Sequence, residues 1–180
     1  MNRRGLLIAV MLTVALMVVH AGGDGEAMDF PVPEGYSSVA EAGITIQWKI
    51  EGENLLVRMA GATEGWVSVG FDPSSRMKDA NIIIGYVEDG QVFLQDQYGT
   101  GATAHSSDAE LGGSDDIEDA QGGEENGQTW LSFSIPLDSG DRYDRALEPG
   151  RSVQAIVATG RNDDFGTYHG MKRAVVTLDL

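Results

Sequence analysis

Residues 44–50 alternate between apolar and polar side chains, with isoleucine or tryptophan at every second position. A period of two is typical of a β-strand with one buried face. Similar short segments recur between turns rich in Gly, Asp and Asn, and they predict further strands at residues 55–60, 66–71, 81–87, 91–98, 129–135, 152–159 and 174–180. Beyond residue 21, no long segment has the 3.6-residue repeat of an amphipathic helix. The pattern predicts an all-β domain over residues 44–180, folded as an antiparallel β-sandwich.

The first 21 residues have the features of a secretory signal peptide. Arg3 and Arg4 precede a continuous apolar run over residues 6–19, and Val19-His20-Ala21 places small residues at the two positions that signal peptidase reads. A retained membrane anchor is the alternative, but the run is shorter than the roughly 20 residues that cross a bilayer. We therefore expect cleavage after Ala21, a mature chain without a membrane span, and a periplasmic or extracellular location.

Two segments lack the regular strand pattern. Residues 22–43 are rich in Gly, Glu, Ala and Pro and are predicted to form a flexible lead-in to the domain. Residues 99–128 consist mainly of Gly, Ser, Asp and Glu. Because this stretch is much longer than an ordinary connection between strands, we expect it to be either disordered or functional.

The chain is strongly acidic, with a formal net charge of −16. Loss of residues 1–21 would remove two arginines and no acid, which makes the mature charge −18. Without clustered lysines and arginines, we expect no binding to nucleic acid or to an anionic membrane surface. The strong negative charge favours a basic surface on any protein partner.

The residue types present limit the chemistry that the chain can perform. There is no cysteine, which excludes thiolate metal sites, catalytic thiols and covalently attached c-type haem. Beyond residue 21 the only histidines are His105 and His169, and no serine lies in a G-x-S-x-G motif. Acidic residues are so numerous that no pair of them identifies a glycosidase. Hydrolase chemistry therefore has little support, and we expect any metal or cofactor to be held by His, Met, carboxylate or backbone groups.

Residues 108–119 are a candidate calcium site. Six acidic residues fall within this short stretch, interleaved with glycine and serine: Asp108, Glu110, Asp115, Asp116, Glu118 and Asp119. Hard oxygen ligands on a loop suit Ca²⁺, although the spacing is not that of an EF-hand. An acidic surface loop without an ion is the alternative interpretation.

Met77 and His169 stand out in otherwise polar loops. Methionine is apolar, and histidine is a common metal ligand. Met77 lies within residues 72–79, where strand periodicity does not explain a large apolar side chain. It could fill a gap at the end of the sandwich, as loop methionines do. His169 could equally be a turn histidine bonded to the backbone. Since 92 positions separate the two residues, spacing alone leaves these alternatives open.

Several motifs together resemble the DOMON domain family. They are the segments 65–71, 77–85, 96–98 and 133–137, followed by Gly140, Asp141, Asp144, Ala158 and His169. The resemblance covers residues 44–180. It implies an immunoglobulin-type β-sandwich that binds haem or sugar. Ile135 departs from the family pattern, which often has arginine before Pro-Leu.

In the haem-binding branch of this family, a methionine and a late histidine hold the iron. The resemblance therefore implies Met77 and His169 as axial ligands of a non-covalent haem b, bound at one end of the sandwich in an electron-transfer domain. Methionine/histidine ligation fills both axial positions and raises the reduction potential. The resemblance therefore implies an electron carrier that acts with a redox partner protein and is not itself an enzyme. The candidate pocket residues are Trp66, Phe71, Ile82 and Tyr168, together with Ile84, Tyr86 and Phe165. His105 is not expected to contribute, because it lies in the polar segment 99–128.

The sequence is also compatible with two other functions. A carbohydrate-binding module of the same fold would stack sugar rings on aromatic faces, and Trp48, Trp66 and Trp130 could form such a platform. Each of these tryptophans falls within a predicted strand, so burial in the core is the alternative for all three. An interaction domain without a small ligand is the third hypothesis.

Overall fold

A computed structural model describes residues 30–180. The expected signal peptide and residues 22–29 of the expected lead-in lie outside this range. The strands of the described part are β1 Ser37–Glu41, β2 Ile44–Glu51, β3 Asn54–Gly61, β4 Val67–Phe71, β5 Asn81–Glu88, β6 Gln91–Gly101, β7 Ala104–Ser107, β8 Glu118–Glu125, β9 Gln128–Pro136, β10 Ser152–Thr159 and β11 Arg173–Asp179. One short helix, α1 Asp108–Leu111, lies between β7 and β8. Within residues 30–180, no helix is long and apolar enough to span a bilayer.

The strands form two antiparallel sheets. A five-stranded sheet has the order β1-β2-β3-β9-β8, and a six-stranded sheet has the order β11-β10-β4-β5-β6-β7. Neighbouring strands are mostly joined by hairpins, while β3–β9 and β4–β10 pair over long sequence separations. The predicted all-β, immunoglobulin-like antiparallel sandwich is therefore confirmed.

The core lies between the sheets and is built mainly by every second residue of the central strands. Ile44, Ile46 and Trp48 enter it from β2, and Phe71 enters it from β4. Burial of each such side chain contributes about 1.5–3 kcal/mol. The indole Nε1 of Trp48 donates a hydrogen bond to the carbonyl oxygen of Asp179 at 2.9 Å, which satisfies its polar atom inside the sandwich.

Three strands lie where no strand was predicted. β1 falls within the segment expected to be a flexible lead-in, and β7 and β8 fall within the segment 99–128. All three are at the edges of the sheets, and their side chains are mostly polar and exposed. An edge strand is held by backbone hydrogen bonds along one side, so it needs no buried alternating face. This explains why periodicity did not reveal them.

Candidate functional site

A cavity of about 820 Å³ lies on the outer face of the six-stranded sheet. Its floor is formed by residues that alternate along their strands with residues pointing into the core. The floor residues are Ser68, Gly70, Ile82, Ile84, Ile156, Ala158 and Val175. Its walls come from three connections, around residues 76–77, 102–105 and 165–169. The sequence predicts a site at one end of the sandwich. The cavity lies instead on a sheet face, because side chains fill the core side of these strands.

Gly70 leaves space above the sheet for the cavity, because it has no side chain. A Cβ atom at this position would lie 2.8 Å from Cγ1 of Ile156 and 3.0 Å from Cγ1 of Ile82. These two isoleucines come from the strands on either side of β4. A larger residue at position 70 would therefore push apart the apolar side chains on which a ligand would rest.

Met77 lines the cavity from the β4–β5 connection, which is fastened to β6. The amide of Asp79 donates to the carbonyl oxygen of Gly99 at 2.8 Å, and the amide of Gly99 donates to the carbonyl oxygen of Ala80 at 2.9 Å. The hydroxyl of Tyr98 donates to Oδ1 of Asp79 at 2.9 Å. A hydrogen bond from Ser74 holds the pKa of Asp79 below its usual range, and the bond from Tyr98 adds a smaller effect in the same direction.

His169 also lines the cavity, from the connection between β10 and β11. Its Nδ1 atom lies 3.0 Å from the carbonyl oxygen of Gly170. Because a carbonyl oxygen only accepts hydrogen bonds, Nδ1 carries the proton and Nε2 keeps a free lone pair in the neutral ring. Arg173 steadies this turn by donating from Nη1 to the carbonyl oxygen of Gly170 at 2.8 Å and to the hydroxyl of Tyr168 at 2.7 Å. The turn therefore holds the imidazole in one tautomer and one orientation.

His105 lines the same cavity, contrary to the expectation from its polar surroundings in the sequence. The pairing of β7 with β6 places it beside Gln97, whose Oε1 accepts a hydrogen bond from Nδ1 of His105. Gln97 in turn donates from Nε2 to Oε1 of Gln95 at 2.6 Å. Burial lowers the pKa of His105, and the nearby His169 lowers it further. No sequence signal marks this residue, because β7 is only four residues long.

The charge of the cavity differs from that of the protein as a whole. Arg76 and Arg173 line it, and among residues 30–180 no aspartate or glutamate does so. In a chain with 28 acidic and 12 basic residues, such a lining suits a ligand that carries negative groups.

The other predicted pocket residues divide between the two faces of the sheet. Trp66, Ile82 and Tyr168 line the cavity, as do Ile84 and Phe165. Phe71 does not, because it is fully buried in the core between the sheets. Successive residues of a strand point to opposite faces, so Gly70 faces the cavity and Phe71 faces away from it. The assignment of Phe71 to the pocket is therefore wrong.

The three tryptophans do not form a common platform for sugar. Trp48 is buried in the core, and Trp66 is buried at the cavity. Trp130 lies on β9 in the other sheet, where its indole packs over Gly123 of β8. Stacking on sugar rings requires exposed aromatic faces on one surface, which these residues do not provide.

Comparison with known protein families finds a match over most of the domain. The family model for the DOMON domain matches residues 41–160. DBH-like monooxygenase protein 1 of Mus musculus is 29% identical over 139 residues, which is 75% of this chain and 22% of that protein. The Homo sapiens protein of the same name is 25% identical over 164 residues, 89% of this chain and 25% of that protein. The chain thus spans about a quarter of the length of these curated relatives.

Two solved structures have the same fold. The cytochrome b domain of pyranose dehydrogenase from Coprinopsis cinerea superposes with a TM-score of 0.59 at 12% sequence identity, over 80% of this chain and 81% of that one. The cytochrome domain of Myriococcum thermophilum cellobiose dehydrogenase superposes with a TM-score of 0.58 at 10% identity, over 81% of each chain. At this level of identity the likeness establishes the fold.

Proposed function

The chain belongs to the DOMON domain family, and on that premise we propose that it is an exported haem b-binding electron-transfer domain in which Met77 and His169 are the axial ligands. The observation that carries the proposal is the cavity itself. Met77 and His169 are 92 positions apart in the sequence, and they line one cavity with an apolar floor. The two solved cytochrome domains that share this fold support the same interpretation.

The residues present fit this cofactor. The thioether of Met77 and the free Nε2 of His169 are soft and intermediate donors that suit haem iron. Ile82, Ile84 and Ile156 offer an apolar surface for the flat macrocycle. Because the chain has no cysteine, attachment would be non-covalent.

Polar groups at the cavity suit the two carboxylates of a haem. Arg76 and Arg173 line the cavity, and their guanidinium groups could form charge-assisted hydrogen bonds with those carboxylates.

When bound, a haem b with methionine and histidine ligands supplies a one-electron iron couple. Met77 and His169 would occupy both axial positions, which leaves no position for oxygen or substrate. The domain would then carry electrons without catalysing a reaction itself. Its redox partner would be another protein, and the acidic surface favours a basic one.

Absorption spectroscopy of single variants tests the ligand assignment. We expect haem-loaded wild-type protein to be low-spin and six-coordinate, with the weak long-wavelength band of ferric methionine ligation. Met77→Leu should abolish that band, whereas Met171→Leu should leave it unchanged because Met171 is 88% exposed. His169→Ala should lose haem on gel filtration.

His105→Ala separates the proposed pair from its rival. His105 lines the same cavity, so it could in principle replace Met77 as the second ligand. We expect His105→Ala to remain low-spin with the methionine band intact. Loss of the low-spin spectrum in His105→Ala but not in Met77→Leu would overturn the assignment. Native protein isolated without haem would overturn the proposed function.

A further inference from the structure

Three aspartates meet at the edge of the sandwich, away from the residues that line the cavity. Asp96 lies on β6, Asp116 in the connection from α1 to β8, and Asp144 in the connection from β9 to β10. One carboxylate oxygen from each lies within 4.8 Å of the others. Asp96 is only 3% exposed, because it points inward from β6 at a position where other strands place apolar residues.

No basic side chain compensates these charges among residues 30–180. The ion pairs of this part of the chain lie elsewhere, at Lys49–Glu51, Arg145–Asp72 and Arg151–Glu148. Bringing unpaired carboxylates together reduces the stability of the folded state, because each carboxylate loses hydration and repels the others. Burial, followed by the charge of Asp144, raises the pKa of Asp96 to about 8.

The uncharged side chain of Asn81 supports a bound cation independently of the acidic residues. Asn81 is 5% exposed, and its Nδ2 donates to Oδ1 of Asp144 at 2.7 Å, which holds the amide group at the cluster. Its Oδ1 is buried and has no hydrogen-bond partner among the described residues. Oδ1 of Asp96 and both carboxylate oxygens of Asp108 are buried without partners as well. Buried oxygens without donors are rare in folded proteins unless a cation or water satisfies them.

The segments that carry the aspartates are held in place by other bonds. The amide of Asp116 donates to Oδ2 of Asp96 at 3.2 Å. The amide of Ser114 donates to Oδ2 of Asp141 at 2.6 Å, which ties the α1–β8 connection to the β9–β10 connection. The hydroxyl of Tyr143 donates to the carbonyl oxygen of Leu111 at 2.8 Å, which adds a second tie. The carboxylates of the cluster are thus positioned by the fold and do not belong to a free surface loop.

We propose that Asp96, Asp116, Asp144 and the side-chain oxygen of Asn81 bind a Ca²⁺ ion that joins β6 to the two connections. Ligands made only of oxygen suit hard cations, and carboxylates with a neutral amide oxygen from separate chain segments suit the variable geometry of Ca²⁺. Mg²⁺ demands a stricter octahedron and retains more water, and Zn²⁺ favours nitrogen and sulfur. The site differs from the predicted calcium loop 108–119, because Asp96, Asp144 and Asn81 lie outside that stretch. It does not depend on haem.

Titration of the chelated full-length domain with CaCl₂ tests the proposal, with calorimetry and thermal unfolding as readouts. We expect one ion per chain and a rise in Tm of about 5 °C or more once Ca²⁺ exceeds the Kd about 100-fold. MgCl₂ should bind at least about tenfold more weakly. Absence of calcium binding by the wild type would overturn the proposal, and equal binding of the two ions would overturn the choice of Ca²⁺.

Neutral variants separate the site from general acidity. Asp96→Asn and Asp144→Asn should lose the calcium response, while their unfolding temperature without metal should stay equal or rise because repulsion is relieved. Asp119→Asn is the matched control, since Asp119 is exposed on the same acidic stretch and has a φ of 54° that asparagine tolerates. An unchanged calcium response in both cluster variants would overturn the site. If either variant fails to fold, calorimetry on the wild type still decides whether Ca²⁺ binds.

Discussion

Gly99 on β6 packs directly against the backbone carbonyl of Met77. A Cβ atom at position 99 would lie 1.6 Å from that oxygen and 2.6 Å from its carbon, so only glycine permits this approach. The contact sets how close the β4–β5 connection lies to the sheet. It therefore controls where the thioether of Met77 enters the cavity.

Gly99→Ala should displace the Met77 segment. We expect a loss of about 1–3 kcal/mol in the free energy of unfolding, measured by denaturant titration, and a reduced low-spin fraction in the haem-loaded protein. Gly101→Ala is the matched control two residues away, where a Cβ atom would meet nothing closer than 3.9 Å. Its stability should change by no more than about 0.5 kcal/mol. Equal effects of the two substitutions would contradict this role of Gly99.

Met77→His should keep a haem six-coordinate and lower its reduction potential. Thioether ligation favours the reduced iron, and imidazole is the stronger donor to the oxidised form. Spectroelectrochemical titration of wild type and variant measures the difference. A potential equal to or higher than that of the wild type would argue against Met77 as a ligand.

Stability of the metal-free protein should fall as pH rises. The folded-state pKa is raised to about 8 for Asp96, about 7 for Asp108 and about 6 for Asp144, in each case mainly by burial. Neighbouring Asp115, Asp116 and Asp141 add repulsion.

A raised acid pKa means that the folded state binds protons more tightly than the unfolded state, so stability is greatest below the unfolded pKa of about 4. It should decrease between about pH 4 and pH 8. Thermal unfolding in a chelator across this range measures the decrease, and saturating Ca²⁺ should reduce it. A Tm that rises with pH in the chelated protein would contradict the sign.

Electron exchange with a basic partner should slow as salt is added. The expected mature charge of −18 steers such a partner toward the domain, and screening shortens the reach of that field to about 10 Å at 0.1 M salt. Stopped-flow reduction at several ionic strengths tests this. A rate that is constant or increases with salt would contradict electrostatic steering.

The exported protein should begin near Gly22. The basic start, the apolar run and the small residues before Gly22 predict cleavage after Ala21. Intact-mass measurement on protein recovered outside the cytoplasm locates the N-terminus. Recovery of residues 1–21 in a membrane fraction would favour the retained anchor.

The alternating pattern was sufficient to predict the central strands and the antiparallel sandwich. A half-buried strand must place apolar residues at every second position, so the segment 44–50 carries its own signature. β1, β7 and β8 have no such signature, since backbone pairing at an edge makes little demand on side chains. The motifs that resemble the DOMON family singled out Met77 and His169, and their role as ligands stays a prediction.

By itself, then, the sequence determined the fold class, the family and the absence of thiol chemistry, because these depend on local periodicity, motif order and residue types. Only the tertiary structure decided which face of the six-stranded sheet carries the cavity, that His105 reaches it, and that Phe71 does not. It also brought Asp96, Asp116 and Asp144 together. Such contacts join residues far apart in the chain, and they follow from strand pairing and side-chain direction, which no single segment of sequence encodes.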